Sequence, residues 1–395
     1  MKKSTVAVVR CPDYEPVNLS RSIRRSLDLL GGFGAFLKPR SKVFVKVNHL
    51  SPASPPEKAV YTHPLFVQEV LRLLKDYDVD MTVGDDIPSG SADGFLASGY
   101  RHVCAGLGIR LVNLKETGFQ QVPVRGKVLE KAYVGRPVLE ADFLLNLPKL
   151  KTHSYTVFTG AVKNMFGVIP YGLRLDCHRR FVRNEVFSQM LVDLFSCVPP
   201  HLTIMDAVIG MEGEGPSAGA PKNLGLILGS PDAVALDAAA SRIVGYNPQE
   251  IFTTYYAQER GLGVGDMNLI DIVGEKIDNV EVKNFRHSAA AVGLFRKKLP
   301  SFLYAYVQGQ LALIPEVREE LCTGCSDCAT MCPARAISLL QKTAWVDEKK
   351  CIHCLCCHEA CRFQAIRLKQ FPLGKVLRTG NAIYEKTTAA VRKIF

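Results

Sequence analysis

The sequence predicts two folded parts: an α/β domain with a largely parallel sheet over residues 1–275, then a small α+β domain over residues 316–370. Three observations carry this. Strand and helix signals alternate up to about residue 275, the mark of βα units around a parallel sheet. Several strand ends run straight into polar or Gly/Pro-rich segments, as the carboxyl edge of such a sheet does. Past residue 315 the pattern changes, and cysteines recur at a fixed interval. A chain of 395 residues that is 47% hydrophobic and 22% charged is long enough for two or three units and apolar enough to pack a sizeable core.

The strands expected in order are Thr5–Val9, Val43–Val47, Met81–Val83, Leu111–Leu114, Phe143–Leu147, Leu202–Met205, Leu224–Leu228 and Leu269–Val273. Helical spacing is clearest in HPLFVQEVLRLLKDY, where Phe66, Val70, Leu73 and Leu74 fall on one face. In PDAVALDAAASRIVG, Ser230 is placed to cap, Pro231 to take the first helical position and Gly245 to end the helix.

The most reactive segment is NLPKLKTHSYTVFTGAVKNMFGVIP, read as a strand-to-helix loop. It offers Lys149, Lys151, His153, Ser154, Thr159 and Lys163, with Gly160 and Gly167 permitting close backbone approach. Such a loop suits a small anionic substrate or a phosphate at a helix N-terminus, and His153 could carry protons near neutral pH. An exposed basic loop with no ligand is the plainer alternative. A second loop, MDAVIGMEGEGPSAG, carries Asp206, Glu212 and Glu214 as bases, ligands or mere turn residues. Asp85, Asp86, Asn48 and His49 are weaker candidates, and His178, Arg179 and Arg180 complete the basic side.

Residues 276–315 are apolar and basic, with Pro300 and Pro315 as punctuation; they read as a connector or as a helix lying on a membrane surface. No run of eighteen apolar residues predicts a transmembrane helix. The start, MKKSTVAVVRC, reads as a first strand rather than a secretory signal, so a cytoplasmic protein is expected.

The C-terminal region contains an internal repeat. LCTGCSDCATMCPARAISL returns after twenty-nine positions as KCIHCLCCHEACRFQAIRL, each copy following C-x2-C-x2-C-x3-C. This is the spacing of bacterial two-cluster ferredoxins, in which the fourth cysteine of each run serves the other 4Fe–4S cluster. Cluster one is thereby assigned Cys322, Cys325, Cys328 and Cys361, and cluster two Cys351, Cys354, Cys357 and Cys332. Zinc takes pairs of ligands rather than two such quartets, and disulfides are not expected without a secretory signal. Arg362 stands where a second proline is usual, and its charge is expected to raise the potential of a nearby cluster. Cys356 is an additional thiol, read as a buried spare, with a swapped ligand or a redox-sensitive thiol as the alternatives; Cys11, Cys104, Cys177 and Cys197 read as small core residues.

The formal charge of +11 falls to about +7 when two clusters of charge −2 are counted. Beyond Cys361, eight Lys/Arg residues face the single acid Glu385. The tail over 371–395 is therefore a solvated end or a docking element for an acidic redox partner or a membrane surface.

The combination of NLPKLKTH, TGAVKNMFG, MDAVIGMEGEGP and LGSPDAVALDAAA resembles the family catalogued as domain of unknown function 362, over roughly residues 40–245. The resemblance implies an iron–sulfur protein of undetermined reaction, since members often carry a two-cluster ferredoxin after that domain. The string ADFLLNLPKLKTHSYTVFTGAVK is also similar to the core of the nickel-pincer lactate racemase family, in which a histidine and a lysine stand at the separation of His153 and Lys163. That resemblance implies a proton carrier at His153 and a cofactor anchor or phosphate contact at Lys163. The loop GDDIPSG offers no second catalytic histidine, so shared architecture is implied and shared chemistry is not.

The expectation is an iron–sulfur oxidoreductase: two clusters feed single electrons to a site with His153 and Lys163 as catalytic residues and Lys149, Lys151, Gly160, Asp206 and Glu212 as cofactor-binding ones. The rival is an electron carrier whose α/β domain only docks a partner. An additional cofactor is left open; no G-x-G-x-x-G fingerprint follows a strand, and no nucleic-acid motif is present.

Overall fold

The computed structural model describes residues 3–50, 54–87, 94–288 and 313–370. Most of the expected connector (276–315) and the whole basic tail (371–395) lie outside the described residues. The chain divides into two compact units, Met1–Ser288 and Ala289–Phe395.

The first unit is built on one sheet. Its strands in chain order are β1 (Ser4–Arg10), β2 (Ser41–Val47), β3 (Val79–Asp85), β4 (Arg110–Asn113), the hairpin β5 (Phe119–Pro123) and β6 (Lys131–Gly135), β7 (Phe143–Leu147), β8 (Lys149–His153), β9 (Val157–Thr159), β10 (Leu202–Glu212), β11 (Ala220–Ser230) and β12 (Ile270–Gly274). The β5–β6 hairpin pairs only with itself; the main sheet runs β12-β1-β11-β10-β7-β2-β3-β4, with β8 added to β10 and β9 to β8. Every neighbouring pair on the main path is parallel except those made by β11, which runs antiparallel to both β10 and β1. The fold class is thus α/β and largely parallel.

Both faces of this sheet are covered, which is why β7 is apolar but for Asn146 and β2 is apolar at Val43, Phe44, Val45 and Val47. On one face Val43, Val45, Val47, Leu145 and Leu147 pack with Leu19, Ile23 and Leu27 of the helix Pro16–Asp28 and with Phe66, Val67 and Val70 of the helix Pro64–Leu74. The helices Asn184–Cys197, Ala233–Ile243 and Phe252–Glu259 pack together on the other face.

Three sequence expectations are corrected here. The segment NLPKLKTH is not a loop. Pro148 only interrupts the chain, and Lys149–His153 resumes as a strand because the distal half of β10 offers it a free edge, pairing Asp206 with Lys149 and Met211 with Lys151. MDAVIGME is likewise strand, since β10 continues to Glu212 against β11. In the helix Ala233–Ile243, Asp232 is the N-cap, its carboxylate accepting from the Val234 and Ala235 N–H groups. Ser230 ends β11 instead and donates to the Thr5 carbonyl.

The first unit runs on to Ser288. His287 stacks on Tyr246 at 3.9 Å, and Arg286 gives both its amide and its guanidinium to Glu212.

In the second unit, β13 (Leu313–Val317) pairs with β16 (Ile366–Gln370), and β14 (Ile337–Leu340) pairs with β15 (Thr343–Val346). The short helices Asp327–Thr330 and Cys356–Ala360 follow the turns after the second cysteine of each run and carry the third. The twenty-nine-residue repeat is therefore a strand–turn–helix–strand unit used twice, each copy lending a strand to the other's hairpin.

Candidate metal centres and sheet-edge site

The repeat places its cysteines around two spaces. One cavity, open in part to solvent, is lined by Cys322, Cys325, Cys328 and, from the second copy, Cys361. The other is lined by Cys351, Cys354, Cys357 and, from the first copy, Cys332. Backbone conformation makes each wrap possible: Gly324 and Ser326 are left-handed in the first copy, and His353 and Leu355 repeat this twenty-nine residues on. Such turns aim successive backbone N–H groups inward, a concavity that suits an anionic group.

The donor chemistry fits a thiolate-bound cluster. The Ala336 amide donates to Cys332 Sγ at 3.2 Å, and the equivalent Ala365 amide donates to Cys361 Sγ at 3.2 Å. Ala344 adds a third such bond, to Cys322 Sγ at 3.4 Å. Amide donors to sulfur stabilise thiolate charge. Among the described residues no group of three or more His, Cys, Asp or Glu converges as a site for a lone metal ion; the thiols stand around a volume. Cys356 lines neither cavity and is buried. Arg362 does not present a bare charge, because Asp327 takes two of its donors at 3.0 and 2.8 Å.

In the first unit the candidate side chains lie along the carboxyl edge of the sheet. Lys149, Lys151 and His153 alternate with Leu150 and Thr152, so all three share one face of β8, and each is at most 1% exposed. Lys149 is 2.8 Å from Asp206 Oδ2 and 2.7 Å from the Tyr14 hydroxyl, which itself donates to Asp206 Oδ1. The His63 amide adds a bond to the same carboxylate. Burial pulls the Lys149 ammonium below the ordinary lysine range, against the attraction of Asp206. Lys151 donates to the Val60 carbonyl at 2.5 Å. His153 Nδ1 accepts from the Tyr155 and Thr156 amides at 3.0 and 3.3 Å, which puts the proton of a neutral ring on Nε2.

Gly160 and Gly167 have definite packing reasons. Asp237 reaches across to accept from the Ala161 and Val162 amides at 2.6 and 3.0 Å. A Cβ on Gly160 would lie 2.0 Å from Asp237 Oδ1. The start of the helix Ala161–Asn164, expected to be open to a phosphate, is thus occupied by the chain's own carboxylate. Burial pushes Asp237 up to about 7. A Cβ on Gly167 would meet Asp85 Oδ1 at 2.5 Å and Lys46 Nζ at 2.7 Å, so this glycine lets the turn close over the fully buried Lys46–Asp85 pair, 2.9 Å apart.

Lys163 is half-buried, its ammonium 5.1 Å from the Phe166 ring centre. His178 packs against Phe166 and Phe187. Burial, then the charges of Lys163 and Arg174, push it down to about 3. Arg174 in turn holds Asp86 at 3.0 Å. Glu212 is bound by Arg286 at 2.8 Å, and Ser154 donates to the Gly215 carbonyl.

Lys149 thus pairs with Asp206, Asp85 and Asp86 stand at the end of β3, and Lys151 and His153 lie farther along, level with Met211 and Glu212 at the far end of β10. Sequence reasoning missed Tyr14, His63, Lys46, Arg174 and Asp237. Asp237 was findable: it is the lone acid inside an alanine-rich helix, where a buried acid needs a partner.

Comparison with known proteins agrees with this division. A family model described as domain of unknown function (DUF362) matches residues 43–242, and one described as 4Fe-4S binding domain matches 315–338. The chain is 32% identical over 258 residues to a thylakoid-associated protein of Synechocystis sp., covering 65% of this chain and 79% of that protein. It is 33% identical over 70 residues to an uncharacterized polyferredoxin-like protein of Methanocaldococcus jannaschii, covering 14% of this chain and 42% of that one. Among solved structures, the lactate racemase apoprotein of Thermoanaerobacterium thermosaccharolyticum matches with 13% identity and a TM-score of 0.37, over 59% of this chain and 55% of that one. A structural-genomics protein of Thermotoga maritima matches with 12% identity and a TM-score of 0.37, over 64% and 60%. No helix among the described residues is long and apolar enough to cross a membrane.

Proposed function

This chain belongs to the DUF362 family and ends in a 4Fe–4S binding domain, and from that premise we propose that it is a two-cluster redox protein whose electrons serve a reaction at the sheet edge of its α/β unit. The observation that supports two clusters is the pair of cavities, each with three cysteines from one repeat copy and the fourth from the other. Cys322, Cys325, Cys328 and Cys361 would hold one cluster, and Cys351, Cys354, Cys357 and Cys332 the second. When bound, such clusters supply one-electron chemistry at potentials set by their surroundings.

In this reading His153 and Lys163 are the catalytic residues. His153 is held by two backbone amides with Nε2 protonated, a fixed donor for a substrate oxygen, and Lys163 supplies positive charge for a small anionic substrate. Lys149, Asp206, Gly160 and Glu212 contribute by shaping the edge, since each already has an internal partner or packing reason. Lys151, which donates to the Val60 carbonyl, shapes the edge in the same way.

That internal pairing favours a second reading, an electron carrier whose α/β unit docks an acidic redox partner. Protein purified without oxygen and assayed for iron and sulfide decides the cluster number: about eight of each are expected, and about four would leave one cluster. Native mass spectrometry of the same sample reads any further bound mass. His153→Ala then separates the two readings. Loss of substrate-linked reoxidation with unchanged cluster spectra supports the enzyme, and unchanged reoxidation supports the carrier.

A further inference from the structure

The two cysteine sets differ in a way the repeat alone does not require. Ala344 lines the first cavity and donates its amide to Cys322 Sγ. Its counterpart twenty-nine positions earlier is Pro315, which lines the second cavity and has no amide hydrogen to give. Cys351, the counterpart of Cys322, is denied that bond by sequence. The bonds Ala336 to Cys332 and Ala365 to Cys361 form a symmetric pair, one to each set, and bonds within the turns reach Cys328 in the first set and Cys351 and Cys354 in the second.

Exposure follows the same direction. In the first set Cys325 is exposed and Cys328 buried, whereas in the second set none is exposed and two, Cys354 and Cys357, are buried. Reduction makes a four-thiolate centre more negative. Water and amide donors stabilise that added charge, and burial opposes it.

We infer that the set Cys322, Cys325, Cys328 and Cys361 forms the higher-potential centre, where an added electron settles, and that Pro315 keeps the other set lower. The inference rests on the two-cluster reading above. Asp327 and Arg362 flank Cys328 and Cys361, and their mutual pairing at 2.8 Å holds the charge beside the first set near neutral.

The test is an EPR-monitored redox titration of full-length protein purified without oxygen, with iron counted first. Two resolved waves are expected in the wild type. Pro315→Ala supplies the missing amide, so the lower wave should rise and the separation shrink. Asp327→Asn frees the Arg362 charge at a partly exposed site that tolerates substitution, so the upper wave should rise and the separation widen. A single unresolved wave in the wild type overturns the inference, as does a Pro315→Ala shift confined to the upper wave. If Pro315→Ala fails to fold, a lower-wave shift in Asp327→Asn, or none at all, also overturns it. An iron content of about four per chain is different: it removes the two-cluster reading itself.

Discussion

The Lys149 ammonium lies 2.8 Å from the Asp206 carboxylate, and neither side chain has any exposure to solvent. Two charges this deep are held by one another and by Tyr14 and His63 rather than by water. Their place on β8 and β10 makes them the clasp that fixes the added strand to the parallel sheet. Removing one partner leaves the other charged and buried. Asp206→Ala should therefore cost about 3–5 kcal/mol in unfolding free energy, and the pair replacement Lys149→Met with Asp206→Leu should recover part of it. Denaturant unfolding followed by far-UV circular dichroism measures both; a loss under about 1 kcal/mol for Asp206→Ala would contradict a buried clasp.

Gly160 and Gly172 make opposite predictions from one substitution. At Gly160 an added methyl meets Asp237 Oδ1 at 2.0 Å and Phe158 at 2.6 Å, so Gly160→Ala must displace the carboxylate that holds two buried amides. A loss of about 2–4 kcal/mol follows from two such unsatisfied donors. Gly172 is exposed inside the helix Tyr171–Arg180 with nothing within 4 Å, and Gly172→Ala should stabilise by about 0.5–1 kcal/mol. Equal effects at the two sites would refute the packing account of Gly160.

Most of the sheet was legible because buried parallel strands are short apolar runs, and Phe143–Leu147 and Val43–Val47 are such runs. β8 was not, because its inward residues are Lys149, Lys151 and His153. The period-two alternation was there, but charge disguised it as a loop. β10 was shortened at Met205 for a similar reason, since Asp206 reads as a strand end until Lys149 is known to face it. The repeated cysteine turns were legible, as covalent spacing constrains a turn more tightly than hydropathy constrains a strand. What spacing could not give was the asymmetry at Pro315, which appears only when each sulfur's donors are traced.

Cys356 and Cys357 are adjacent and both buried, yet only Cys357 lines a cavity. Cys356→Ser should keep about eight irons per chain, whereas Cys357→Ser should lose iron and sulfide from one centre, leaving about four of each. Iron and sulfide assays on protein purified without oxygen measure this. Iron loss in Cys356→Ser equal to that in Cys357→Ser would make Cys356 a ligand.

His178 and Asp237 shape the pH dependence in opposite directions. His178 falls from 6.5 to about 3 in the folded chain, mainly through burial. As pH drops below 6.5 the unfolded chain takes up a proton that the folded chain refuses, so stability is present above that value and lost on the way down. Asp237 rises from 3.8 to about 7 through burial. The folded chain binds its proton first, so stability is gained as pH falls through 7 towards 3.8. Between 6.5 and 3.8 the two slopes oppose each other, at about 1.4 kcal/mol per pH unit each. His178→Gln removes only the loss. Relative to wild type, the variant should therefore gain about 2 kcal/mol between roughly pH 6.5 and pH 5, whatever its offset at neutral pH. Urea unfolding at both pH values gives this as a difference of differences, in which the constant packing cost of glutamine cancels. Parallel stability curves for wild type and variant would mean that His178 titrates normally in the folded chain, and that neither its burial nor the charges of Lys163 and Arg174 hold its proton off.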